Sequence, residues 1–401
     1  MGPMSDDAIS HLARPMRQIM VVAFASMASM RWCDALLPAL SQEFGSTPGQ
    51  AAQVVYAFAI VYGVMQLLYG PLGDALGKFR VVSWAALACT LGTVACALAP
   101  SLAWLTAARV LNGAAAAGII PLAIAWIGDN VPWAHRQAML ARLMSATVTG
   151  LIAGQWAAGL FADTVGWRPG FVALSALFAW GALAMLLSQR RARPDDAAMH
   201  PVPGANEGRS LDRMKQVLAQ PLARQVLALV AVEGGFAFSA MAFAPTHLHQ
   251  RFGLAASWAG GIIALYGLGG LAYSQSVRWW LARLSPLGMA RVGGSLAGVA
   301  WLLVAASPAW GWALPLCALA GLGFYMIHNT LQTQATQMVP AQRGTAVSLF
   351  ACALFMGQSL AMLGAAWGVD HLGSAAVMAA CGAGLLGVAW AAGWLRWAAG
   401  H

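Results

Sequence analysis

Apolar residues fill this chain in long runs with little charge inside them. Twelve runs reach the roughly 20 residues that a helix needs to cross a hydrocarbon core of about 30 Å. They cover 18–40, 51–71, 80–99, 102–128, 139–162, 167–188, 223–249, 257–282, 289–307, 311–338, 344–369 and 373–398, numbered helices 1 to 12 below. The first run exceeds signal-peptide length and carries no cleavage site, so it reads as a retained helix. The one long polar stretch is 189–222, with Arg190, Arg191, Arg193, Pro194, Pro201, Pro203, Arg209, Arg213 and Lys215. It reads as a solvated linker with a short amphipathic helix near 210–220. The pattern predicts an all-α integral membrane protein with an N-terminal six-helix bundle over 1–188, a cytoplasmic linker over 189–222 and a C-terminal six-helix bundle over 223–401.

Composition agrees. Of 401 residues 60% are hydrophobic and only 9% charged, and the mean hydropathy is +0.67; a soluble domain carries about 25% charge. The net charge of +9 would suit nucleic acid, but its distribution suits a membrane. With the N-terminus in the cytoplasm, eighteen of the twenty-two Lys and Arg fall on that side, including Arg14, Arg17, Lys78, Arg80, Arg136, Arg142 and the linker bases. Only Arg168 and Arg251 fall on the other, while Arg31 and Arg109 lie inside helices. The positive-inside rule then places both termini in the cytoplasm. Trp133, Trp167, Trp258, Trp310, Trp394 and Trp397 near run ends suit the interfacial belts. Arg far outnumbers Lys, and Ala, Gly and Trp are common, as in a GC-rich bacterial genome, so the membrane is the bacterial inner membrane. Cys33, Cys89, Cys96, Cys317, Cys352 and Cys381 all sit in apolar runs without a CxxC pair. They read as small core residues, neither disulfides nor metal ligands.

The two halves repeat. Tyr62-Gly63 and Tyr69 in helix 2 return as Tyr266-Gly267 and Tyr273 in helix 8, at a shift of 204. Gly154-Gln155 in helix 5 returns as Gly357-Gln358 in helix 11, at a shift of 203. Pro38 with Phe44-Gly45 corresponds to Pro245 with Phe252-Gly253, and Val131-Pro132 with Arg136 to Val339-Pro340 with Arg343. Several matches in order near one shift describe a parallel repeat about an axis along the membrane normal, with a substrate site near the midplane.

Four stretches resemble the major facilitator superfamily of transporters. Gly70-Pro71-Leu72-Gly73-Asp74-Ala75-Leu76-Gly77-Lys78-Phe79-Arg80 is similar to its G-x-L-x-D-x-x-G-[RK]-x-[RK] loop, with Ala75 where the family usually has a base. Arg109-Val110-Leu111-Asn112-Gly113 is similar to R-x-x-Q-G, with Asn for Gln. The stretch from Gly150 through Gly154 and Gln155 to Ala158-Gly159 resembles the antiporter stretch G-x-x-x-G-P-x-x-G-G, with Gln155 for the proline and Ala158 for one glycine. Gly166-Trp167-Arg168 precedes helix 6. The resemblance covers nearly the whole chain and points to the twelve-helix drug:proton antiporter branch. It implies that Asp74 closes the cytoplasmic side, against Arg136 or Arg142 and the start of helix 11 near Gly344, with Gly70, Gly77, Lys78 and Arg80 completing the gate.

Ionisable residues inside membrane helices cost about 2.5–3.5 kcal/mol on insertion scales, so each is a functional candidate. Arg31 and Asp34 share one face of helix 1, and Arg109 of helix 4 lies at a matching depth of roughly 10 Å. An Asp34–Arg109 pair is expected to couple protons or substrate; the bland alternative is an ion pair that only fixes packing. Glu233 in helix 7 has no base in its run before Arg251. It reads as a proton carrier, as a counter-charge for a cationic substrate, or as a protonated acid bonded to a neighbour helix. Its neighbours Gly234 and Gly235 admit a close approach. On helix 10, Tyr325, His328 and Gln332 share a face and Asn329 adjoins them, a density that favours cavity lining over interhelical glue. Asn112, Tyr62, Gln66, Gln155 and Gln358 are further cavity candidates. His247 and His249 at an outer helix end read as interfacial.

These features point to a monomeric secondary transporter that exports a small amphipathic molecule in exchange for protons, without cofactor or metal. The nearest alternative is an uptake symporter or uniporter for a sugar or organic anion. A receptor would need a signalling domain, for which tails and linker leave little length. An enzyme or an ATP-driven pump would need H-E-x-x-H, G-x-S-x-G or G-x-x-x-x-G-K-[ST], and none is present.

Overall fold

Inside lipid every backbone N–H and C=O must be satisfied within its own segment, so each long apolar run closes into a helix. The computed structural model describes residues 7–191 and 207–394, with no strand among them. Arg193, Pro194, Pro201, Pro203, Arg396 and Trp397 lie outside the described residues. Helices 2 (Pro48–Leu76) and 3 (Lys78–Ala97) follow the predicted runs closely. So do helices 5 (Trp133–Thr164), 6 (Trp167–Arg191), 7 (Pro221–Phe252), 8 (Ala256–Leu281) and 9 (Pro286–Ala306). Helices 10 (Trp310–Gln337), 11 (Pro340–Leu372) and 12 (Ser374–Trp394) complete the second half. The amphipathic linker helix is Glu207–Ala219.

Helix 2 is interrupted briefly at Ala52, between Pro48–Ala51 and Gln53–Leu76, and two further runs differ from single helices. Helix 1 is Asp7–Arg31, a 3-10 turn at Asp34–Leu36, then Leu37–Phe44. Helix 4 is Leu102–Ala116 and Ile119–Asn130 around a turn at Ala117-Gly118. Pro38 contributes to the break in helix 1. It has no N–H for the carbonyl four residues back, that of Asp34, and its ring crowds that carbonyl.

Ten of the described helices are long and apolar enough to cross a membrane by length and composition. Helices 5 and 8 are as long but less apolar, and they pack on each other between the halves, where less of their surface meets lipid.

Packing repeats between the halves. Helix 1 lies on helices 5 and 6, helix 3 on helices 4 and 6, and helix 2 on helix 4. The second half repeats each contact, with helix 7 on 11 and 12, helix 9 on 10 and 12, and helix 8 on 10. The seams joining the halves repeat too: helix 5 on helix 8, and helix 11 on helix 2. At the first, Gly267 faces Ile152; at the second, Gly63 faces Phe355. Gly154 admits the backbone of Ala28, and Gly357 admits that of Ala231. Helices 1 and 7 even end alike, at Gly45 (φ 60°) and Gly253 (φ 66°), whose left-handed backbone donates an N–H to Ser41 O and His249 O.

All six cysteines are free, and all but Cys352 are buried. Trp133, Trp258, Trp310 and Trp394 are exposed as belt residues should be. Trp167 is not: it is buried, and its Nε1 donates to Glu43 Oε2 at 2.5 Å. His247 also departs from its interfacial reading, buried with Nδ1 3.1 Å from Ser374 Oγ.

Candidate functional site

The break in helix 1 creates the first cluster. It leaves the carbonyls of Ser29 and Met30 short of helical donors, and Arg109 supplies them. Arg109 Nη1 donates to Ser29 O at 2.9 Å, Nη2 to Met30 O at 3.5 Å, and Nε to Val54 O of helix 2 at 3.2 Å. Its guanidinium lies 4.1 Å from the Phe58 ring centroid. The expected Asp34–Arg109 ion pair is therefore absent, because Arg109 commits its donors to backbone oxygens. Asn112, one turn on, accepts from Ser29 Oγ at 3.5 Å.

Asp34 starts the 3-10 turn and is fully buried. Its Oδ2 lies 3.5 Å from Arg31 Nη1 and accepts from Gln155 Nε2 at 3.4 Å. Gln155, which stands where the resembling stretch has proline, thus supplies a hydrogen bond to the acid. Arg31 reaches across the seam, its guanidinium 4.2 Å from the ring centroid of Phe238 on helix 7. Asp34 Oδ1, Gln155 Oε1 and Arg31 Nε are buried without a hydrogen-bond partner.

The second cluster lies in the other half. Glu233 is fully buried, and its Oε2 sits 3.2 Å from His328 Nδ1 of helix 10. Of the readings open for Glu233, the contact is with a neighbour helix: the partner is a histidine nearly a hundred residues away in sequence, which periodicity does not reveal. His328 stacks on Phe324 with centroids 5.1 Å apart and lies 5.4 Å from Phe350. Gly234 and Gly235 admit helix 11 at Leu354, Gly357 and Ala361, the close approach expected of them. Tyr325 faces Tyr266 with centroids 6.5 Å apart. Glu233 Oε1, Tyr266 OH and Gln358 Oε1 are buried and unpartnered. Sequence reading missed Tyr266 as a polar group of the seam and Phe238 as the ring under Arg31; the former was visible only as a repeat marker.

The remaining candidates separate by depth. Tyr62 is buried in the seam, stacked on Phe58 and edge-on to Phe355 at 4.7 Å. Gln66 and Asn329 are half-buried, while Gln332 is exposed toward the linker end of helix 10. Tyr69 is glue: its hydroxyl donates to Ala114 O at 2.9 Å beside the turn in helix 4.

The loop at the linker end does not make the expected contacts. Asp74 pairs with Lys78 at 3.0 Å, and Lys78 with Asp129 of helix 4 at 2.5 Å. Arg136 donates to Val131 O at 2.8 Å, and Arg142 lies against Met139. Arg80 sits over Trp84, Gly77 caps helix 2 with φ 88°, and Gly70 and Gly344 have open space where a Cβ would be. Asp74 is satisfied by the nearest base in its own half. Among the described residues no hydrogen bond or ion pair joins the halves at this end. At the opposite end they are joined, by the carboxylates of Asp163 and Asp370.

Among the described residues, twelve long helical spans in two repeated halves, with buried charge along the seam, make up a polytopic membrane fold. The chain belongs to the Major Facilitator Superfamily, whose model matches residues 19–362. It is 29% identical to the probable transporter SCO4007 of Streptomyces coelicolor over 379 residues, 88% of this chain and 80% of that protein. It is 26% identical to the multidrug export protein EmrB of Escherichia coli over 154 residues, 37% of this chain and 30% of EmrB. It spans only 32% of the MFS-type transporter YwfA of Bacillus subtilis. Its fold is similar to that of a point mutant of the nucleoside transporter NupG, with TM-score 0.80 at 14% identity over 96% of this chain and 100% of the other. It is also similar to a bacterial homologue of the human lysosomal transporter Spinster, inward-facing and occupied, with TM-score 0.76 at 18% identity over 99% and 100%. By family and fold the chain is thus a multi-pass membrane protein of this superfamily.

Proposed function

We propose that this protein exports a small amphipathic molecule in exchange for protons, by alternating access across the bacterial inner membrane with both termini in the cytoplasm. The observation that carries this reading is the pair of fully buried acids, Asp34 and Glu233, one in each half, each beside its own base. A buried carboxylate is a functional group by default, and a carboxylate against an imidazole can take up or release a proton with little movement. His328 is 14% exposed and Glu233 not at all, so His328 is the route by which water reaches the acid. Aromatic rings from Phe238, Tyr266, Phe324 and Tyr325 give an amphipathic substrate apolar faces beside these charges. The similarity to EmrB favours export.

In this mechanism the halves, 1–188 and 223–401, rock about the seam. Proton binding at Glu233–His328 or at Asp34 favours one state, and substrate competes for the other. The Asp74 loop acts in the state in which the linker end closes. The test is transport in proteoliposomes of the purified protein: an imposed pH gradient should drive uptake or release of an amphipathic cation, and collapse of the gradient should stop it. Transport indifferent to the gradient would sink the proton-coupled reading.

A further inference from the structure

Asp163 ends helix 5, and its two carboxylate oxygens accept the first backbone N–H groups of helix 8: Ala256 N to Oδ1 at 3.0 Å and Ser257 N to Oδ2 at 2.7 Å. Asp370 near the end of helix 11 does the same to the start of helix 2. Gly49 N donates to its Oδ1 at 2.9 Å and Thr47 Oγ1 to its Oδ2 at 2.6 Å. Each bond joins one half to the other, and both lie at the end opposite the linker. The step from Asp163 to Asp370 equals the step from Gly49 to Ala256 and is a few residues longer than the shifts of 203 and 204 that align the middles of the same helices, so the two contacts are alike in kind and lie about one turn beyond the repeat register.

The backbones beneath them match as well. A Cβ on Gly159 would overlap Ala256 O, and a Cβ on Gly49 would overlap Ala366 O. The same longer step carries Gly159 to Ala366. Each contact therefore pairs one glycine with one alanine, with the glycine on the acid-bearing helix in one copy and on the capped helix in the other. One missing Cβ per contact brings the helices close enough for a short aspartate to span both donors. The terminal N–H groups of a helix have no intrahelical acceptor, and its dipole favours an anion there.

We propose that Asp163 and Asp370 are the paired latches that hold the end opposite the linker closed, and that they set the balance between the two access states of the carrier. They are positioning residues, since neither touches the charged clusters of the seam. Both latches span the halves, so any motion that opens this end breaks both. Their exposed donors are then hydrated, which keeps the exchange reversible. The inference rests on the alternating-access reading but not on protons or on export.

The test is spin-label distance measurement across the closed end, in full-length protein in nanodiscs. Labels at positions 100 and 309 sit on exposed residues of the outer loops of the two halves, away from both latches, in a background with the six cysteines replaced. Wild type should show one dominant short distance. D163A or D370A should raise the open population about tenfold, and the double variant roughly a hundredfold, since each latch carries two hydrogen bonds. Thr47→Val, which removes one donor and keeps the acid, should give a smaller shift and guards against misfolding of the alanine variants. An unchanged distance distribution in the double variant and in Thr47→Val would overturn the proposal. Opening in the double variant while wild type ignores a pH gradient would keep the latches and remove the proton-coupled reading.

Discussion

Glu233 Oε2 lies 3.2 Å from His328 Nδ1, while the other oxygen of the same carboxylate is buried without a partner. Helix 7 and helix 10 thus share one carboxylate–imidazole pair with spare acceptor capacity. Glu233→Gln keeps the shape and a hydrogen bond but removes the titrating acid. It should lower pH-gradient-driven transport by at least about a hundredfold, the usual scale for a lost proton-transfer group, with substrate binding retained. His328→Ala, which strands the acid, should also destabilise the fold by about 1–3 kcal/mol, whereas His328→Gln should not. Gradient-driven transport by Glu233→Gln at the wild-type rate would remove the pair from coupling.

Arg109 should behave as a structural cation first. Its removal strands the carbonyls of Ser29 and Met30, at the break of helix 1, in the interior. Arg109→Ala should cost about 2 kcal/mol or more of stability, at about 1–3 kcal/mol per stranded group. In a double-mutant cycle with Asp34→Asn its coupling energy should fall below about 0.5 kcal/mol, while Arg31→Ala with Asp34→Asn should exceed it. Thermal unfolding in detergent reads both.

Close helix approaches predict opposite effects at different glycines. Gly154→Val and Gly357→Val drive side-chain atoms into the backbones of Ala28 and Ala231 and should each cost about 1–3 kcal/mol. Gly364 and Gly387 have open space around the missing Cβ, so Gly364→Ala or Gly387→Ala should be neutral or stabilise by about 0.5–1 kcal/mol. Equal losses at all four positions would contradict the packing described.

Asp74 is 56% exposed and pairs only within its own half. Asp74→Asn should change stability by less than about 1 kcal/mol and leave equilibrium substrate binding intact, while slowing turnover. Weaker binding with normal turnover would reverse its assignment to the gate. A cysteine at position 74 should react with a membrane-impermeant label only from the cytoplasmic side.

The number of helices, the linker helix, the repeat and the family were legible in sequence. In lipid the backbone satisfies itself locally, so run length alone specifies a helix, and a repeated packing contact must keep its glycine. Gly63, Gly267, Gly154 and Gly357 stood out for that reason. Partnerships among the charges were not legible. Arg109 was matched to Asp34 by depth, but the break in helix 1 opened nearer acceptors for it. Pro38 foreshadowed that break, yet its counterpart Pro245 sits inside an unbroken helix 7, so the proline alone does not decide. Helix 4 offers Arg109 to the freed carbonyls of helix 1, whereas the base that helix 10 offers to helix 7, His328, meets the side chain of Glu233 instead of the backbone. Likewise Glu233 found His328, and Asp163 and Asp370 found the ends of helices from the opposite half. Sequence determined what each helix is; the packing of helices distant in the chain decided which polar groups meet, because a buried charge takes whichever partner the tertiary fold brings within a few ångströms.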